Sequence, residues 1–260
     1  MAPETEEVKN RNAFTLIELL ATIGILTVLC SVAAPAVWGA YKTSSLAVSA
    51  NNIRQLAVGG AAYLSDNNYR FWPYLTRTES GDDVYWFGLE PAGQKGRPEG
   101  ERVIDMQAGS LGGYMPRTMV PDPSFGFTGK PFKPKYKFGY IGVAYNVHLA
   151  GEKNGKASWL TVPAGPQPLS YWDIKKPAET VVFATSAQIY PFSNDALIEE
   201  FYGIDQKEVT VHFRHNGQAM VSFADGSCGF LPMDPSTLDT RAPDAMIGRF
   251  APKGSTKYLR

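Results

Sequence analysis

The fold is decided by residues 13–41, which read AFTLIELLATIGILTVLCSVAAPAVWGAY. Residues 19–41 of this stretch carry no formal charge, and Lys42 ends the run. A helix needs about 20 apolar residues to cross a bilayer, so the stretch predicts a transmembrane helix over residues 14–41. Residues 1–13 are polar and predict a leader that stays outside the membrane.

Two interpretations of this segment compete. Ala34-Pro35-Ala36 matches the small-x-small cleavage site of an ordinary secretory signal peptide. Glu18 favours a different interpretation, because a carboxylate in a membrane span costs roughly 2.5–3.5 kcal/mol at the helix centre and less near an interface. A plain signal peptide gains nothing from that charge, whereas a subunit that pairs it with a neighbour does. The sequence therefore favours a membrane subunit that retains the helix.

Ala13-Phe14-Thr15-Leu16-Ile17-Glu18-Leu19-Leu20 resembles the cleavage and methylation motif of type IV pilins and type II secretion pseudopilins. The resemblance implies that prepilin peptidase cuts between Ala13 and Phe14 and that the new Phe14 amine is methylated. It also implies an assembly role for Glu18, the fifth residue of the mature chain. Pro35 stands where the family often has a proline, and it predicts a helix kink because proline removes a helix hydrogen bond.

The helical pattern continues beyond the span, over residues 42–66. An apolar face is predicted by residues that recur every three or four positions, namely Leu46, Ala50, Ile53, Ala57, Gly60 and Leu64. A polar face is predicted from Lys42, Ser45, Ser49, Asn52 and Gln55. Gly59 and Gly60 would let a sheet approach the helix closely, and residues 66–68 read as a stop.

The remaining residues, 67–260, are rich in proline, glycine and aromatic side chains and predict a β-rich head. Strands are predicted at residues 84–89, 138–145, 180–184, 209–213 and 219–223. The predicted fold class is α+β, with one long N-terminal helix packed on an antiparallel sheet that has long loops.

A second motif lies at residues 215–226, where His215 precedes Asp225-Gly226 by nine intervening residues. It resembles a His-x9-Asp-Gly element of a large group of prepilin-type proteins. Asp225-Gly226 predicts a two-residue hairpin turn of type I′, which needs positive φ at both central residues. We interpret His215, Asp225 and Gly226 as a structural motif rather than a catalytic one.

Several functional classes are disfavoured by the sequence. It has three histidines and no metalloprotease, Walker-A or nucleophile-elbow pattern, so we expect no catalytic residues, no metal and no cofactor. A formal net charge of zero gives no reason to expect nucleic acid as a partner. Cys30, in the span, is not expected to meet Cys228 in the head. Tyr85, Trp86, Trp159 and Trp172 are expected in the core rather than on a sugar-binding surface.

The sequence thus predicts a pilin-like structural subunit of a type II secretion or type IV pilus-like filament. Its expected partners are prepilin peptidase, other pilin-like subunits, the inner membrane and, indirectly, an assembly platform protein and ATPase. The expected location is the bacterial inner membrane, crossed once, with the head in the periplasm or in a surface filament. The alternative is a membrane-anchored binding or hydrolytic module that uses the prepilin pathway for export.

Overall fold

The structure is a computed structural model, and it describes residues 15–116, 122, 132–137, 141–190 and 196–260. The leader with Ala13 and Phe14, and residues 138–140 of one predicted strand, lie outside the described residues. The chain divides into two compact units, Met1–Ser44 and Ser45–Arg260.

Helix α1 spans Leu16–Asp66, as the apolar run and its amphipathic continuation predict. The helix continues through Pro35 without interruption, so the predicted kink there does not break it. It ends where Asn68 and Tyr69 take positive φ values of 53° and 56°. The backbone N–H of Tyr69 then donates to the Leu64 carbonyl at 2.8 Å and closes the last turn.

Fifteen short strands lie within the described residues. In chain order they are β1 (Leu75–Arg77), β2 (Asp83–Tyr85), β3 (Gly88–Glu90), β4 (Phe132–Lys133), β5 (Val143–Asn146), β6 (Glu152–Lys153), β7 (Lys156–Ala157), β8 (Val181–Thr185), β9 (Gln188–Ile189), β10 (Ile198–Glu199), β11 (Gly203–Ile204), β12 (Val211–His212), β13 (Gln218–Phe223), β14 (Cys228–Pro232) and β15 (Ile247–Gly248). Short 3-10 turns occur at Ala92–Gln94, Gly112–Tyr114, Tyr171–Asp173, Pro177–Glu179, Pro235–Thr237 and Pro243–Ala245.

The main sheet has five strands in the order β11-β5-β8-β13-β14. Its neighbours are antiparallel except for β11, which runs parallel to β5. Smaller sheets are β1-β2-β3, β4-β10-β9, β12-β15 and β6-β7. The α+β fold class is therefore confirmed, with a sheet that is mixed rather than wholly antiparallel.

One strand prediction is wrong. Residues 84–89 form a hairpin instead of a single strand, with Tyr85 of β2 paired to Gly88 of β3. Trp86 and Phe87 at the bend are both fully buried. A buried turn and a buried strand have the same apolar composition, so hydrophobicity alone does not separate them.

The main sheet is buried on both faces. On one face, Trp72 stacks on Tyr145 of β5 and Phe183 of β8, with ring centroids 4.9 and 5.6 Å apart. Ile53 and Leu56 of α1 belong to the same cluster. On the other face, the strand residues that point the opposite way are Ala144, Ala184 and Val221. They belong to a second cluster, together with Phe213, Phe250 and Leu259.

The buried face of the helix is wider than the predicted apolar face. Ile53, Gly60 and Leu64 of that apolar face are buried as predicted. Ser45, Ser49 and Asn52, assigned to the polar face, are buried as well. Ser49 is buried because its hydroxyl donates to the carboxylate of Asp122. The close approach expected at the glycines is present, since a Cβ on Gly60 would lie 2.8 Å from the Trp72 ring.

Candidate functional site

The N-terminus of α1 is built as a reciprocal capping box. Thr15 precedes the helix, and its backbone N–H and hydroxyl donate to Oε2 of Glu18 at 2.9 and 2.8 Å. The Glu18 N–H in turn donates to the hydroxyl oxygen of Thr15 at 3.3 Å. The Thr-x-x-Glu spacing favours this arrangement, because it satisfies N–H groups that have no partner within the helix. Among the described residues both bonds to the carboxylate use Oε2, so Oε1 remains open.

The helix that follows this box presents its apolar side chains to the outside. All residues of the predicted span from Leu16 to Tyr41 are exposed, including Leu16 and Ile17 next to Glu18. By length and composition α1 contains a segment able to cross a membrane, and none of that segment is buried. A carboxylate in such surroundings favours a cationic partner.

A second polar site, which the sequence analysis missed, lies inside the head. Arg214, which follows β12, donates through Nη2 to Oδ2 of Asp122 at 2.5 Å and to the Gly142 carbonyl at 2.9 Å. Both side chains of the pair are 2% exposed. Ser49 of α1 also donates to Oδ2 of Asp122. The cluster therefore connects the helix, residue 122 and the strand region of the C-terminal motif.

His212 also belongs to this cluster, through a contact with the other terminal nitrogen of the Arg214 guanidinium. Its Nδ1 lies 3.1 Å from Nη1 of Arg214 and accepts the hydrogen bond, since guanidinium groups only donate. Burial lowers the pKa of His212 well below its usual value, and the neighbouring Arg214 charge lowers it further. His212 is accordingly neutral at pH 7 and fixes the orientation of the guanidinium.

His215 stands at the beginning of a tight turn. Its N–H and carbonyl exchange hydrogen bonds with Gln218 at 3.1 and 3.0 Å, around Asn216 and Gly217. These two residues have φ values of 53° and 76°, the signature of a type I′ turn. Burial and, to a smaller extent, the positive charge of Arg214 lower the pKa of His215 to about 4. Its ring meets Phe230 edge-on, with centroids 6.2 Å apart.

Asp225 and Gly226 lie at the opposite end of β13 from His215. The expected turn is present, but its type was wrong, since only Gly226 has positive φ, at 86°. The Gly226 N–H donates to the Phe223 carbonyl at 3.0 Å, and Asp225 accepts from the backbone and hydroxyl of Ser227 at 2.9 and 2.6 Å. Among the described residues no hydrogen bond joins His215 to Asp225.

The third histidine is also held in a local contact. Nδ1 of His148 contacts Oε1 of Glu152, whose other oxygen pairs with Arg260 at 2.5 Å. In the part of the chain that the structure describes, no group of three or more His, Cys, Asp or Glu side chains is arranged to hold a metal ion. Cys30 and Cys228 are both free thiols.

The aromatic residues named from the sequence have separate environments. Trp86 is fully buried, whereas Tyr85 and Trp159 are partly buried against the same core. Trp172 is 71% exposed and packs on Tyr69, with ring centroids 5.1 Å apart. The core interpretation is thus wrong for Trp172.

The missed Asp122–Arg214 pair had two signals in the sequence. Arg214 immediately precedes His215, and Asp122 lies between two prolines, where an isolated acid has no local partner. Ser45, Ser49 and Asn52 also recur at helical spacing, which places them on one face. The sequence does not show that these residues are partners, because they are far apart along the chain; Ser49 and Asp122, for example, are separated by 73 positions.

Comparison with protein families identifies a prokaryotic N-terminal methylation motif over residues 8–34. The chain therefore carries the prepilin-type motif that Phe14 and Glu18 indicated, and this motif supports a prepilin-type substrate of the type IV pilin and pseudopilin class. The motif implies processing by prepilin peptidase and assembly with other pilin-like subunits. With the apolar helix, it fits a membrane-anchored protein.

The family match ends before the head. The resemblance of residues 215–226 to the C-terminal element therefore stays a prediction. Comparisons with curated proteins and with solved structures found no match for this chain.

Proposed function

We propose that this chain is a structural subunit of a type II secretion or type IV pilus-like filament, anchored in the inner membrane with its head in the periplasm or in the filament. One observation carries the proposal. Glu18, inside the matched motif, stands at the beginning of an exposed apolar helix with one carboxylate oxygen open.

The open oxygen supplies a contact between subunits. Cleavage after Ala13 gives Phe14 a free amine, which remains cationic with one methyl group. Glu18 lies four residues further along the chain. Its Oε2 caps its own helix through Thr15. Its Oε1 accepts a hydrogen bond from the Phe14 amine of the next subunit. Pairing the two charges removes the cost of an isolated carboxylate in lipid.

The same contact explains why assembly continues. Glu18 of one subunit and Phe14 of another are different surfaces, so the contact is heterologous and propagates without closing. Further association energy comes from packing the exposed helix against its neighbours. Gly24 and Gly39 have open space where a side chain would stand, which allows a neighbouring helix to approach closely.

In this proposal the head has a structural role and no catalytic one. Support comes from the three histidines and Asp225, each of which has a local contact. His212 contacts Arg214, His148 contacts Glu152, His215 pairs with Gln218, and Asp225 accepts from Ser227. The assembly ATPase and platform protein act indirectly, through the membrane helix.

Three variants test the charge pair. Glu18→Ala loses both the helix cap and the charge, Glu18→Gln keeps an acceptor for the cap but loses the charge, and Thr15→Ala weakens the cap but keeps the charge. We expect all three to insert and to be cleaved. Glu18→Ala and Glu18→Gln should incorporate poorly into filaments, whereas Thr15→Ala should incorporate nearly as well as the wild type. Normal incorporation of Glu18→Gln at native expression levels would exclude the charge-pair mechanism.

Recruitment to the assembly platform before polymerisation predicts the same loss for Glu18 variants. Cysteine crosslinking separates the two, with Cys30 replaced by serine and one cysteine placed beside Phe14 in one tagged copy and beside Glu18 in another. Crosslinks between the two tagged copies in isolated filaments support the subunit contact. Their absence, with both copies present in the filament, would contradict it.

A further inference from the structure

Three aromatic side chains form a cluster at the surface of the head, and we refer to Tyr69, Tyr171 and Trp172 as the aromatic platform. The Trp172 ring packs on Tyr69 with centroids 5.1 Å apart and meets Tyr171 edge-on at 5.4 Å. Trp172 is 71% exposed and Tyr69 is 44% exposed. Single exposed apolar residues are ordinary, but large rings that are exposed and in mutual contact mark a candidate binding surface.

The backbone holds the aromatic platform in place without a ligand. The Tyr171 N–H donates to the Tyr69 carbonyl at 2.7 Å, so the two chain segments are joined directly. Ser170 caps the 3-10 turn that carries Trp172: its hydroxyl accepts from the Trp172 N–H at 3.4 Å, and its own N–H donates to Asp173 at 3.2 Å. A ligand that binds to a backbone already fixed in this way loses less free energy to ordering.

Tyr69 occupies a backbone position that its side chain does not favour. Its φ of 56° is left-handed, a region that glycine and asparagine visit at low cost and a bulky residue does not. The helix end needs only the backbone of residue 69, whose N–H donates to the Leu64 carbonyl at 2.8 Å, so a glycine would serve there with less strain. The ring of Tyr69 is therefore present at a cost in backbone strain, and such strain is concentrated at functional sites.

The aromatic platform combines apolar ring faces with neutral polar atoms. Among the described residues, the hydroxyls of Tyr69 and Tyr171 and Nε1 of Trp172 take part in no hydrogen bond. A phenol hydroxyl donates and accepts, and the indole N–H donates. The charged neighbours in the chain, Arg70 and Asp173, are of opposite sign and balance each other. The matching ligand is therefore neutral and has an apolar face with hydroxyl groups at its edge.

The size of the aromatic platform argues against a protein partner. Covering its two most exposed rings, those of Tyr69 and Trp172, accounts for about 300–500 Å², since each such side chain buries about 150–250 Å². A stable protein interface buries about 800 Å² on each partner. A sugar ring needs a smaller surface, and it has an apolar face of C–H groups with hydroxyls around its edge.

We propose that the aromatic platform binds a neutral saccharide, whose C–H face stacks on Trp172 and Tyr69 and whose hydroxyls bond to the phenol and indole groups. The site lies in the head and does not depend on the filament function. Cellotetraose is the probe, because its ring substituents are equatorial and both faces of each ring present only C–H groups. Sorbitol carries similar hydroxyl groups without a ring face and serves as the ligand control.

The full chain, with isotope-labelled indole nitrogens in its five tryptophans, is held in an amphipol without sugar groups and titrated with each probe. We expect cellotetraose to shift the indole N–H resonance of Trp172 saturably and to leave those of the buried Trp72 and Trp86 in place. Sorbitol at the same hydroxyl concentration should move none of them. An unchanged Trp172 resonance with cellotetraose, or an equal response to sorbitol, would overturn the proposal.

Variants supply a second readout, the affinity for cellotetraose measured by saturation-transfer NMR on the ligand. Trp172→Ala should weaken binding about tenfold or more, the worth of covering a large apolar side chain. Tyr69→Gly removes a ring and relieves the positive φ, so it should weaken binding while the head stays folded. Phe230→Ala is the matched control, because Phe230 is also exposed but belongs to β14; this variant should bind as the wild type does.

Two results with these variants would contradict a saccharide site at the aromatic platform. One is wild-type affinity of Trp172→Ala for cellotetraose. The other is a loss of affinity in Phe230→Ala as large as that in Trp172→Ala. The proposal is also overturned if dilution of the chain alone moves the Trp172 resonance, which would assign the aromatic platform to a second copy of the chain.

Discussion

At the scale of single residues, Arg214 and Asp122 determine how the head holds together. Their side chains are almost fully buried, and they pair at 2.5 Å. Removing one partner of a buried pair leaves an uncompensated charge, which costs about 3–5 kcal/mol. Ser49 and His212 make further hydrogen bonds to the pair.

Asp122→Ala should therefore destabilise a head fragment of residues 42–260 by about 3–5 kcal/mol, because Arg214 keeps its charge without a partner. Urea unfolding measures the change. Glu179→Ala is the control, since the Lys176–Glu179 pair is more than 60% exposed on both sides and should contribute at most about 1 kcal/mol. Similar losses for the two variants would refute a special role of the buried pair.

His215 should make the stability of the head depend on pH. Its folded pKa of about 4 lies below the usual value of 6.5, so the unfolded chain binds more protons between these values. The contribution of the neutral histidine to the free energy of unfolding is complete above about pH 6.5 and is lost as pH falls toward 4. Burial raises the pKa of Glu200 to about 7, which acts in the opposite direction.

His215→Ala should thus flatten the difference in unfolding free energy between pH 7 and pH 4 relative to the wild type. The comparison of the two proteins isolates the histidine, because Glu200 is present in both. Parallel profiles would show that His215 titrates alike in the folded and unfolded chain. No enzymatic activity should be lost in either case.

At the scale of elements, the turns show what the sequence could and could not predict. Asp225-Gly226 reads as a turn, and it is one. The type I′ geometry, however, belongs to Asn216-Gly217, because His215 and Gln218 are paired directly across it. At Asp225-Gly226, Gly226 alone has positive φ, after two residues of an ordinary turn. Turn type depends on strand register, which local sequence does not specify.

Gly226→Val should destabilise the head fragment by about 1–3 kcal/mol, the usual cost of a strained backbone position. No atom lies within 4 Å of the added Cβ, so the cost arises from the φ of 86° rather than from a clash. Gly226→Asn is the control, because asparagine tolerates positive φ. Thermal unfolding should rank the variants valine, asparagine and wild type in increasing stability. Equal stability of the valine variant and the wild type would contradict a structural role for this glycine.

The helix illustrates the same limit. Its bounds and its capping box follow from local signals, namely an apolar run, Thr15 and Glu18, and the stop after Asp66. The polar part of its buried face does not, because Ser49 contacts Asp122, and Asn52 is buried as well. Apolar periodicity detects packing but not a polar partner that is distant in sequence.

At the scale of the whole molecule, the two units differ in the features that they carry. The first carries the prepilin motif, the open Glu18 oxygen and an apolar helix surface. The second has its own core with both sheet faces covered. The head fragment of residues 42–260 should therefore be soluble and folded. Ser45 and Ser49 are buried, so a fragment that begins after residue 49 should be less stable.

We propose that the chain is processed as a prepilin and keeps its membrane helix. The most direct test is the mass of the N-terminal peptide of the protein extracted from its native membrane. We expect a mature chain that begins at Phe14 and carries one methyl group on its amine. A chain that begins at Val37, after Ala34-Pro35-Ala36, would have lost Glu18 and the apolar helix surface, and it would contradict the filament model.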